Sequence, residues 1–558
     1  MATNAVSDRA TAMRLVGEGD LSGAIRILGP LVEASDEPEE RLVLGSIAHI
    51  ATDYGLAQAQ FEHAYRDFQA RGLPRRAALA ATALARLFVD GLEEQVVGRG
   101  WLARAMHLLE DEELCVEKGY VLVGMVGASV ENAEELEANS RLALDIAHRF
   151  QDRDLECKAL GDAGLALVSM GRIPDGLARL DEAFTMIAGG DCKNPSIISQ
   201  VMCGMLSACD RCGDVQRAES WLRFREKSSG GAANHTFAHC LSAFGSLLCQ
   251  LGRWQEAETA LRLGLSRGET SFRHTRLTAR AALADLWIRQ GRLDEAALLI
   301  DPDVDRVEIM GPRARLHLAR RQWELAAAVA GQALRQLTGD QLRAAPLLLV
   351  LVDAELGRGN TDAAGGAATQ LQRLSNASEV PALAAQAGLG LGKTAAANGD
   401  LAAAAKHFDI GLGALAGSDW PILRAALHLE LARAHAPDAP PLAVVDGQAA
   451  LAIYQRVGAP EAADAAELLQ SLGVQATAGP SQRSALDVLS RREREVLQAL
   501  AQGLSNPEIA KRLFITAKTA EHHVSSILSK LGVRNRAEAA AFAASFQISQ
   551  DPGVSPGR

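Results

Sequence analysis

Two cysteines and two histidines in the middle of the sequence have the spacing of zinc ligands. Cys209 and Cys212 are separated by two residues, and His235 and His239 lie one helical turn apart. However, Cys212 directly precedes a glycine turn of the repeats described below, and further cysteines occur nearby, which favours thiols buried between helices. A metal or redox role is therefore the secondary interpretation, and we expect no metal site.

The segment AGLGLGKT, residues 387–394, fits a relaxed phosphate-binding loop. In such a loop Lys393 and Thr394 would contact phosphate and magnesium, and the apolar run at 346–355, with Asp353, resembles a metal-binding strand. Against this, no apolar strand directly precedes the glycines, and the acidic segment comes before them rather than after. Both segments also fall where the repeats require a helix. A nucleotide-responsive switch is thus a minor alternative, and we expect no cofactor.

A third segment, TAKTAEHHVSSILSKLG at residues 516–532, combines two adjacent histidines with lysines near both ends. Its apolar residues recur at helical spacing, which predicts an amphipathic helix with a polar side free for binding. The chain carries a net charge of −11, but residues 486–546 hold nine Lys or Arg against six Asp or Glu. This local positive charge makes the C-terminal region the expected contact for a polyanion.

The composition indicates that helices position these segments. Hydrophobic residues make up 48% of the chain and aromatic residues only 4%, a mixture rich in alanine and leucine that suits helix packing better than a sheet. The N-terminus has no secretory apolar core, and the apolar run at 347–352 is too short to span a bilayer. We therefore expect a cytoplasmic protein without membrane contact. No catalytic constellation is recognisable elsewhere, so we expect no enzyme activity.

One glycine-led pattern recurs along the chain. Copies at Gly171, Gly213, Gly252 and Gly291 begin 42, 39 and 39 residues apart. Each consists of glycine, a polar or basic residue, three further positions and a small residue. Further copies start at residues 19, 359 and 399, and a degraded copy starts at Arg321. The glycine predicts a turn between two helices, and the small residue predicts their close approach.

Each repeat is therefore expected to form a helical hairpin, and such hairpins must stack into a curved solenoid with a concave groove to bury both faces. The pattern resembles the tetratricopeptide repeat. The matching core positions are Gly252, Trp254 and Ala257, and again Gly291, Leu293 and Ala296. This resemblance implies an all-α solenoid of tetratricopeptide type.

The predicted solenoid covers residues 1–473. Its first 150 residues are irregular, with weak turn candidates near Gly55 and Gly98. A linker is expected at 474–485, because this segment contains Gly-Pro and few large apolar residues.

Residues 486–548 are predicted to form a compact domain of four short helices, followed by a disordered tail at 549–558. The second and third helices are expected at 508–513 and 517–531, joined by the turn FIT. Expected capping boxes, caps and helix stops are Ser490 with Glu493, Ser505 with Glu508, Thr516, Asn535, Gly503 and Gly532.

This C-terminal region resembles the LuxR-type helix-turn-helix domain of bacterial transcription regulators. The matching stretches are LSRREREVL, GLSNPEIAKRL, Thr-x-Lys-Thr, His523 and ILSKLGVRNRAE, which together cover about a tenth of the chain. The resemblance implies binding to double-stranded DNA, with the third helix in the major groove and the second across the backbone. It also implies a homodimer on DNA, often paired through the fourth helix, and leaves RNA polymerase as a partner to consider.

The apolar and polar sides of the third helix are expected to have different functions. The apolar stripe that should face the domain core is Ala520, Val524, Ile527, Leu528 and Leu531. Adjacent residues on a helix point about 100° apart, so the two histidines cannot share one task. His522 falls on the groove side, where it would contact a base or phosphate or remain solvated. His523 falls at the edge of the stripe, where a hydrogen bond that sets the helix in place is expected, with phosphate contact as the alternative.

The candidate DNA-binding residues are Lys511, Arg512, Lys518, Thr519, Glu521, His522, His523, Ser525, Ser526, Lys530 and Arg534. For each basic residue the alternative is a solvated helix surface. Glu521 would repel phosphate, so it is expected either to accept from cytosine N4 or to pair with Lys518. Related domains often carry a basic residue at this position, which makes Glu521 a departure from the family pattern.

Together these patterns predict a bacterial transcription regulator. In this hypothesis the repeats bind an unknown protein, peptide or small-molecule effector in their groove and control the C-terminal DNA-binding domain through a population shift. The alternatives are a repeat-based protein-interaction scaffold without specific DNA binding and the nucleotide-responsive switch.

Overall fold

The computed structural model describes residues 2–18, 20–92, 94–124, 132–228, 237–268, 273–301, 304–378, 380–474, 491–501, 504–513 and 515–531. Helices account for most of these residues, and their one extended pairing is an isolated bridge between Asn132 and Thr338. The chain divides into two compact units, Met1–Leu468 and Leu469–Arg558. None of the helices in the described ranges has the length and apolar content needed to cross a bilayer.

The first unit is an array of paired helices. Its first part contains α1 Ala2–Glu18, α2 Leu21–Glu33, α3 Pro38–Ile50, α4 Tyr54–Ala70, α5 Pro74–Arg86, a π-helical turn Leu87–Gly91, α6 Gln95–His107, α7 Val116–Gly124 and α8 Ala133–Phe150. The middle part contains α9 Arg153–Ser169, α10 Ile173–Gly189, α11 Pro195–Cys212, α12 Val215–Ser228, α13 Phe237–Gln250, α14 Trp254–Gly268, α15 Arg273–Arg289 and α16 Leu293–Ala297. The last part contains α17 Val307–Ala319, α18 Trp323–Gln336, α19 Gln341–Gly357, α20 Thr361–Asn376, α21 Pro381–Ala397, α22 Leu401–Ala414, α23 Pro421–His435, α24 Pro440–Val457 and α25 Ala462–Ser471.

The recurring glycine ends one helix of each pair. Its backbone adopts φ between 73° and 83° at Gly171, Gly213, Gly252, Gly291, Gly359 and Gly399. This left-handed conformation carries little cost for glycine because it has no Cβ. Arg321 adopts φ 57° at the degraded copy, so the turn geometry persists there without a glycine.

Except at the Arg321 turn, where Gln322 makes no capping hydrogen bond, the residue after the turn begins the next helix by one of two means. At Asp53, Asp214, Asn360 and Asp400 the side-chain oxygen accepts a hydrogen bond from a backbone N–H three residues on, which caps the helix. Where arginine follows the glycine it pairs instead with an acidic residue three positions on. These pairs are Arg172–Asp175 at 2.7 Å, Arg253–Glu256 at 2.6 Å and Arg292–Glu295 at 2.7 Å.

The small residue five positions after the turn lies where the two helices touch. Ala218, Ala257, Ala296, Ala326, Ala364 and Ala404 are all fully buried. At the Gly171 repeat the contact is tighter, because a Cβ on Gly176 would lie 2.7 Å from the carbonyl oxygen of Gly164 in the facing helix. First helices also pack on one another along the array, as α9 does on α11 and α11 on α13. These observations confirm the predicted all-α helical-hairpin architecture.

The irregular N-terminal part uses the same turn with a different residue. Thr52 has φ 61°, Asp53 caps α4, and Ala57 is fully buried, so the turn predicted near Gly55 starts at a threonine. The turn predicted near Gly98 is wrong. Gly98 lies inside α6, where a Cβ would be 2.5 Å from Val89 and 3.0 Å from the carbonyl oxygen of Ala85. This glycine therefore serves helix packing.

The array also folds back on itself, so that distant repeats touch. Ser378 Oγ donates to the carbonyl oxygen of Gly171 at 3.0 Å across 207 residues, which corresponds to about five repeats. The backbone N–H of Ala133 donates to the carbonyl oxygen of Thr338 at 2.9 Å. Arg211 pairs with the fully buried carboxylate of Asp340 at 3.3 Å. We call this line of contacts between distant repeats the seam.

The second unit contains α26 Arg491–Ala501, α27 Asn506–Leu513 and α28 Ala517–Leu531. The second of these begins two residues before the predicted start at 508, directly after the predicted cap Ser505. The predicted fourth helix with its cap Asn535, the helix stops Gly503 and Gly532, the cap Ser490, the linker and the C-terminal tail lie outside the described residues.

Candidate nucleic-acid interface

A small apolar core holds α28 in the C-terminal unit. Ala520 and Ile527 are fully buried, and Val524 is 8% exposed. They pack on a buried cluster from the two preceding helices, formed by Val496, Leu497, Ala499, Leu500, Ile509 and Ala510. The apolar stripe predicted for this helix therefore faces the core at these three positions, while the side chains of Leu528 and Leu531 lie outside the described set.

Two caps set where α27 and α28 begin. Glu508 accepts hydrogen bonds from the backbone N–H of Ser505 at 2.7 Å and from its hydroxyl at 2.6 Å, which confirms this capping box. The hydroxyl of Thr516 accepts from the backbone N–H of Thr519 at 3.1 Å and lies 2.7 Å from the Thr519 hydroxyl. Thr516 is thus the predicted cap of α28, and Thr519 is tied into the same first turn.

A polar contact that the sequence did not indicate joins α28 to α26. Ser526 Oγ donates to Glu493 Oε1 at 2.7 Å, and Glu493 is only 4% exposed. A buried carboxylate is costly unless it is hydrogen-bonded, so this contact fixes both the separation and the rotation of the two helices. The sequence gave no signal for this contact, because Ser526 belongs to a pair of adjacent serines and its partner lies 33 positions away.

Two expected contacts on α28 are absent. Within the described part of the domain Lys518 and Glu521 form no ion pair, and both side chains are exposed. The half-buried His523 makes no hydrogen bond to any described residue, and its expected task of setting the helix in place stays a prediction. The contact observed between α28 and α26 comes from Ser526.

The other candidate DNA-binding residues form two groups, those whose side chains are described by the structure and those whose side chains are not. Lys511 and Arg512 are exposed at the end of α27, and Thr519 is half-buried. Lys518 and Glu521 accompany them as exposed charges in the first turns of α28. The side chains of His522, Ser525 and Lys530, and the whole of Arg534, lie outside the described residues. The structure thus brings together an exposed polar surface on the first half of α28.

The glycine-rich segment at 387–394 forms no phosphate-binding loop. It lies inside α21, where its backbone N–H groups are used by the helix. A Cβ on Gly388 would lie 2.6 Å from the carbonyl oxygen of His407, and one on Gly392 would lie 2.2 Å from the ring of Phe408. Lys393 pairs with Asp353 at 2.7 Å. The glycines therefore allow α22 to approach closely, and the nucleotide-switch alternative loses its structural basis.

The cysteine cluster shows buried thiols. Cys209 is fully buried, and burial raises the pKa of its thiol well above the ordinary value. Burial likewise raises the pKa of Cys212 to about 11 and that of Cys249 to about 12. His235 and the side chain of His239 lie outside the described residues, and no group of three or more metal-ligating side chains forms among those that are described.

Known proteins resemble the C-terminal domain. Residues 487–543 match the model of the family described as bacterial regulatory proteins, luxR family. The C-terminal domain is of the LuxR type. Over 71 residues, 13% of this chain, it is 42% identical to the DNA-binding transcriptional activator DevR/DosR of Mycobacterium tuberculosis, and the match covers 33% of that protein. Over 61 residues, 11% of this chain, it is 49% identical to the transcriptional regulatory protein LnrK of Bacillus subtilis, covering 28% of that protein.

The matched part of the chain thus spans a third or less of these curated relatives.

Among solved structures, a chain of the APC/C hetero-tetramer Cut9–Hcn1 aligns with 97% of each chain covered, a TM-score of 0.43 and 12% identity. Yeast Tom70 aligns over 74% of this chain and 92% of its own, with a TM-score of 0.31 and 12% identity. The repeat architecture itself is defined by the turns and helix pairs described above.

Proposed function

We propose that this chain is a bacterial transcription regulator that binds specific sites on double-stranded DNA through its LuxR-type domain. The main support for the proposal is that α28 packs on the core of the domain through its apolar side. Ala520 and Ile527 are fully buried, whereas Lys518 and Glu521 on the other side are exposed. A helix held in this way can place its polar side against base-pair edges in the major groove.

Individual residues take separate roles in this proposal. His522, His523 and Ser525 supply polar groups of α28. The phosphate contacts come from Lys518, Thr519 and Lys530 of α28, from Lys511 and Arg512 of α27, and from Arg534. Ser526 positions the helix through Glu493 rather than contacting DNA.

Glu521 would recognise the DNA sequence through its carboxylate. It forms no ion pair with Lys518 in the described structure, so its carboxylate is available as an acceptor. An exposed carboxylate in the major groove can accept a hydrogen bond from cytosine N4. We therefore expect a preference for cytosine opposite this position.

We further propose that the repeat array acts as the sensor or protein-interaction module and that the chain binds DNA as a homodimer. One domain of this size makes few DNA contacts, so two copies on a two-fold site would raise both affinity and specificity. An effector bound by the array would shift the population of DNA-competent dimers, and RNA polymerase would be contacted on the DNA.

A gel-shift titration of the full chain at several salt concentrations tests the DNA-binding proposal. We expect the affinity to fall steeply with salt, and Lys518→Ala to lower the slope of log K against log salt by about one. Lys406→Ala is the matched control, because Lys406 is an exposed lysine on α22 of the array. Binding that survives deletion of residues 486–558 would refute the proposal.

Crosslinking of the protein to chromosomal DNA, followed by sequencing, separates regulator from scaffold. Discrete enriched sites containing a two-fold motif support a sequence-specific regulator. Uniform background would instead support a repeat-based scaffold whose terminal domain has another partner.

A further inference from the structure

The seam of the repeat array contains a cavity of about 410 Å³. Its walls come from two stretches of chain that are far apart in sequence, the turns before α10 and after α11 on one side and the starts of α21 and α23 on the other. The residues used below are Ile173, Pro174, Gly213, Pro381, Asp419 and Trp420. Sites for small molecules in proteins are clefts of about 300–1,000 Å³, so the volume suits a small ligand.

Glycines of the repeat turns let the two walls approach each other. A Cβ on Gly213 would lie 2.7 Å from the ring of Trp420, and one on Gly171 would lie 2.5 Å from Ser378 Oγ. Trp420 therefore sits directly on the backbone of a turn from a distant repeat. The glycines that create the hairpin turns thus also create the space in which the cavity forms.

The apolar part of the lining is contributed by both walls. Ile173 and Trp420 are half-buried, and Pro174 and Pro381 are exposed at the rim. These rigid side chains offer apolar area to a ligand with little loss of side-chain entropy on binding. The aromatic face of Trp420 can also attract a cation.

The lining also contains polar groups that form no hydrogen bond or ion pair with the described residues. Asp419 is exposed and has no ion pair or hydrogen bond to a described residue, and it is the charged side chain of the lining. The hydroxyl of Ser418 and the indole N–H of Trp420 likewise have no partner within the described ranges. The loop that carries all three is fixed by Arg424, which donates to the carbonyl oxygens of Leu415 at 2.7 Å and Ser418 at 2.9 Å.

We propose that the seam cavity binds a small, mostly apolar molecule that carries a protonated amine. The ammonium group pairs with Asp419 beside the ring of Trp420, and the apolar body contacts Ile173 and the two prolines. A carboxylate ligand is disfavoured, because Asp419 would repel it and no cationic side chain is part of the lining. This inference concerns the array alone and does not depend on whether the C-terminal domain binds DNA.

Binding at this position has a consequence for the array. The ligand touches both walls, which belong to repeats about 207 residues apart, so it binds the array with its seam closed better than with its seam open. It therefore stabilises the closed seam by mass action. This gives the array a way to respond to a small molecule along its whole length.

Isothermal titration of the full chain without DNA tests the proposal. The probes are 2-phenylethylamine, its neutral analogue 2-phenylethanol, and 3-phenylpropionate. We expect the amine to bind about two- to five-fold more tightly than the alcohol, the carboxylate to bind more weakly than the alcohol, and the amine to raise the melting temperature of the array. Equal binding of amine and alcohol, or no binding of the amine, would overturn the proposal.

The variant Asp419→Asn keeps the shape of the site and removes its charge. We expect it to weaken binding of the amine about two- to five-fold while leaving the melting temperature of the free protein unchanged, since Asp419 is exposed and unpaired in the described structure. Asp438→Asn is the matched control, because Asp438 is an exposed loop aspartate outside the lining. An equal loss in both variants would show that the amine does not bind at the seam.

Discussion

The repeat array and the C-terminal domain are built from the same kind of element but expose different sides of it. Both use short turns with capped helices. In the array many charged side chains pair with each other within and between helices. Asp285 pairs with Arg289 of its own helix at 3.0 Å and with Arg315 of the neighbouring helix α17. In the C-terminal domain α28 leaves Lys518 and Glu521 exposed. Many charged groups of the array thus stabilise its own structure, whereas these two charges of α28 are exposed to solvent.

The two regions also differ in how far their contacts reach. The buried pair of Arg211 and Asp340 joins helices in distant repeats, while the contact of Ser526 with Glu493 spans only 33 residues. A small domain buries a smaller fraction of its surface than a large one, so each core residue of the C-terminal domain matters more. The following variants test this difference.

The largest effect is expected from Ile527→Asp in the C-terminal domain. Ile527 is fully buried, and placing an unpaired carboxylate there costs several kcal/mol, enough to unfold a domain of this size. We expect complete loss of DNA binding in the gel shift and loss of one thermal transition, with the transition of the array retained.

The conservative variant Ile527→Val serves as control and should cost only about 0.5–1.5 kcal/mol. If Ile527→Asp also unfolded the array, the two regions would not be independent units.

The next largest effect is expected from Asp340→Ala at the seam. The Asp340 carboxylate is fully buried, forms an ion pair with Arg211 at 3.3 Å, and accepts hydrogen bonds from Arg343 Nε at 2.7 Å and from the Arg343 backbone N–H. Removing one partner of a buried ion pair costs about 3–5 kcal/mol, because the remaining charges stay buried. Denaturant unfolding of the array measures the loss.

Asp175→Ala is the control for this variant, because the Arg172–Asp175 pair is about 60% exposed on both sides. Surface pairs contribute about 0–1 kcal/mol, so its effect should be small. Comparable losses in the two variants would show that the seam contributes nothing beyond ordinary surface pairing.

A smaller effect is expected from Gly392→Ala in α21. The added Cβ would lie 2.2 Å from the ring of Phe408, so the two helices must separate, at a cost of about 1–3 kcal/mol. Gly366→Ala in α20 is the opposite case, because no atom lies within 4 Å of its Cβ position. There we expect a gain of about 0.4–1 kcal/mol from reduced freedom of the unfolded chain. Thermal unfolding of both variants should thus shift in opposite directions.

The smallest effect concerns pH. Burial raises the pKa of Asp210 to about 6, although hydrogen bonds from Ser246 and Gln250 and the nearby Arg211 oppose the rise. The ordinary value is about 3.9, so between about pH 4 and 6 the folded state holds a proton that the unfolded state has lost. The contribution of Asp210 to stability is therefore present at low pH and is lost as the pH rises through 6.

Asp210→Asn removes this titration and keeps an acceptor for Gln250, which donates to Asp210 at 2.8 Å. Relative to the unmodified protein, this variant should be more stable at pH 7 than at pH 4 when denaturant midpoints are compared. The exposed Asp409→Asn should show no such difference between the two pH values.

Much of the fold followed from local sequence. Glycine with a positive φ, an Asp or Asn cap and a buried small residue all act within about ten positions, so the hairpins could be predicted from the residues involved. The cap at Thr516 and the apolar stripe of α28 were predictable for the same reason. The predicted turn at Gly98 and the alternative phosphate-binding loop at 387–394 do not form, because these glycines allow close contacts between helices. Glycine spacing alone does not distinguish a turn from such a contact.

The helical pairs, their turns and the amphipathic α28 can be derived from the residues alone, because each depends on backbone preferences and periodicity over a few positions. Three contacts become visible only in the folded chain, namely those between distant repeats at the seam, that of Trp420 with Gly213 and that of Ser526 with Glu493. These contacts depend on small rotations added from one repeat or helix to the next, and no single stretch of sequence encodes their sum.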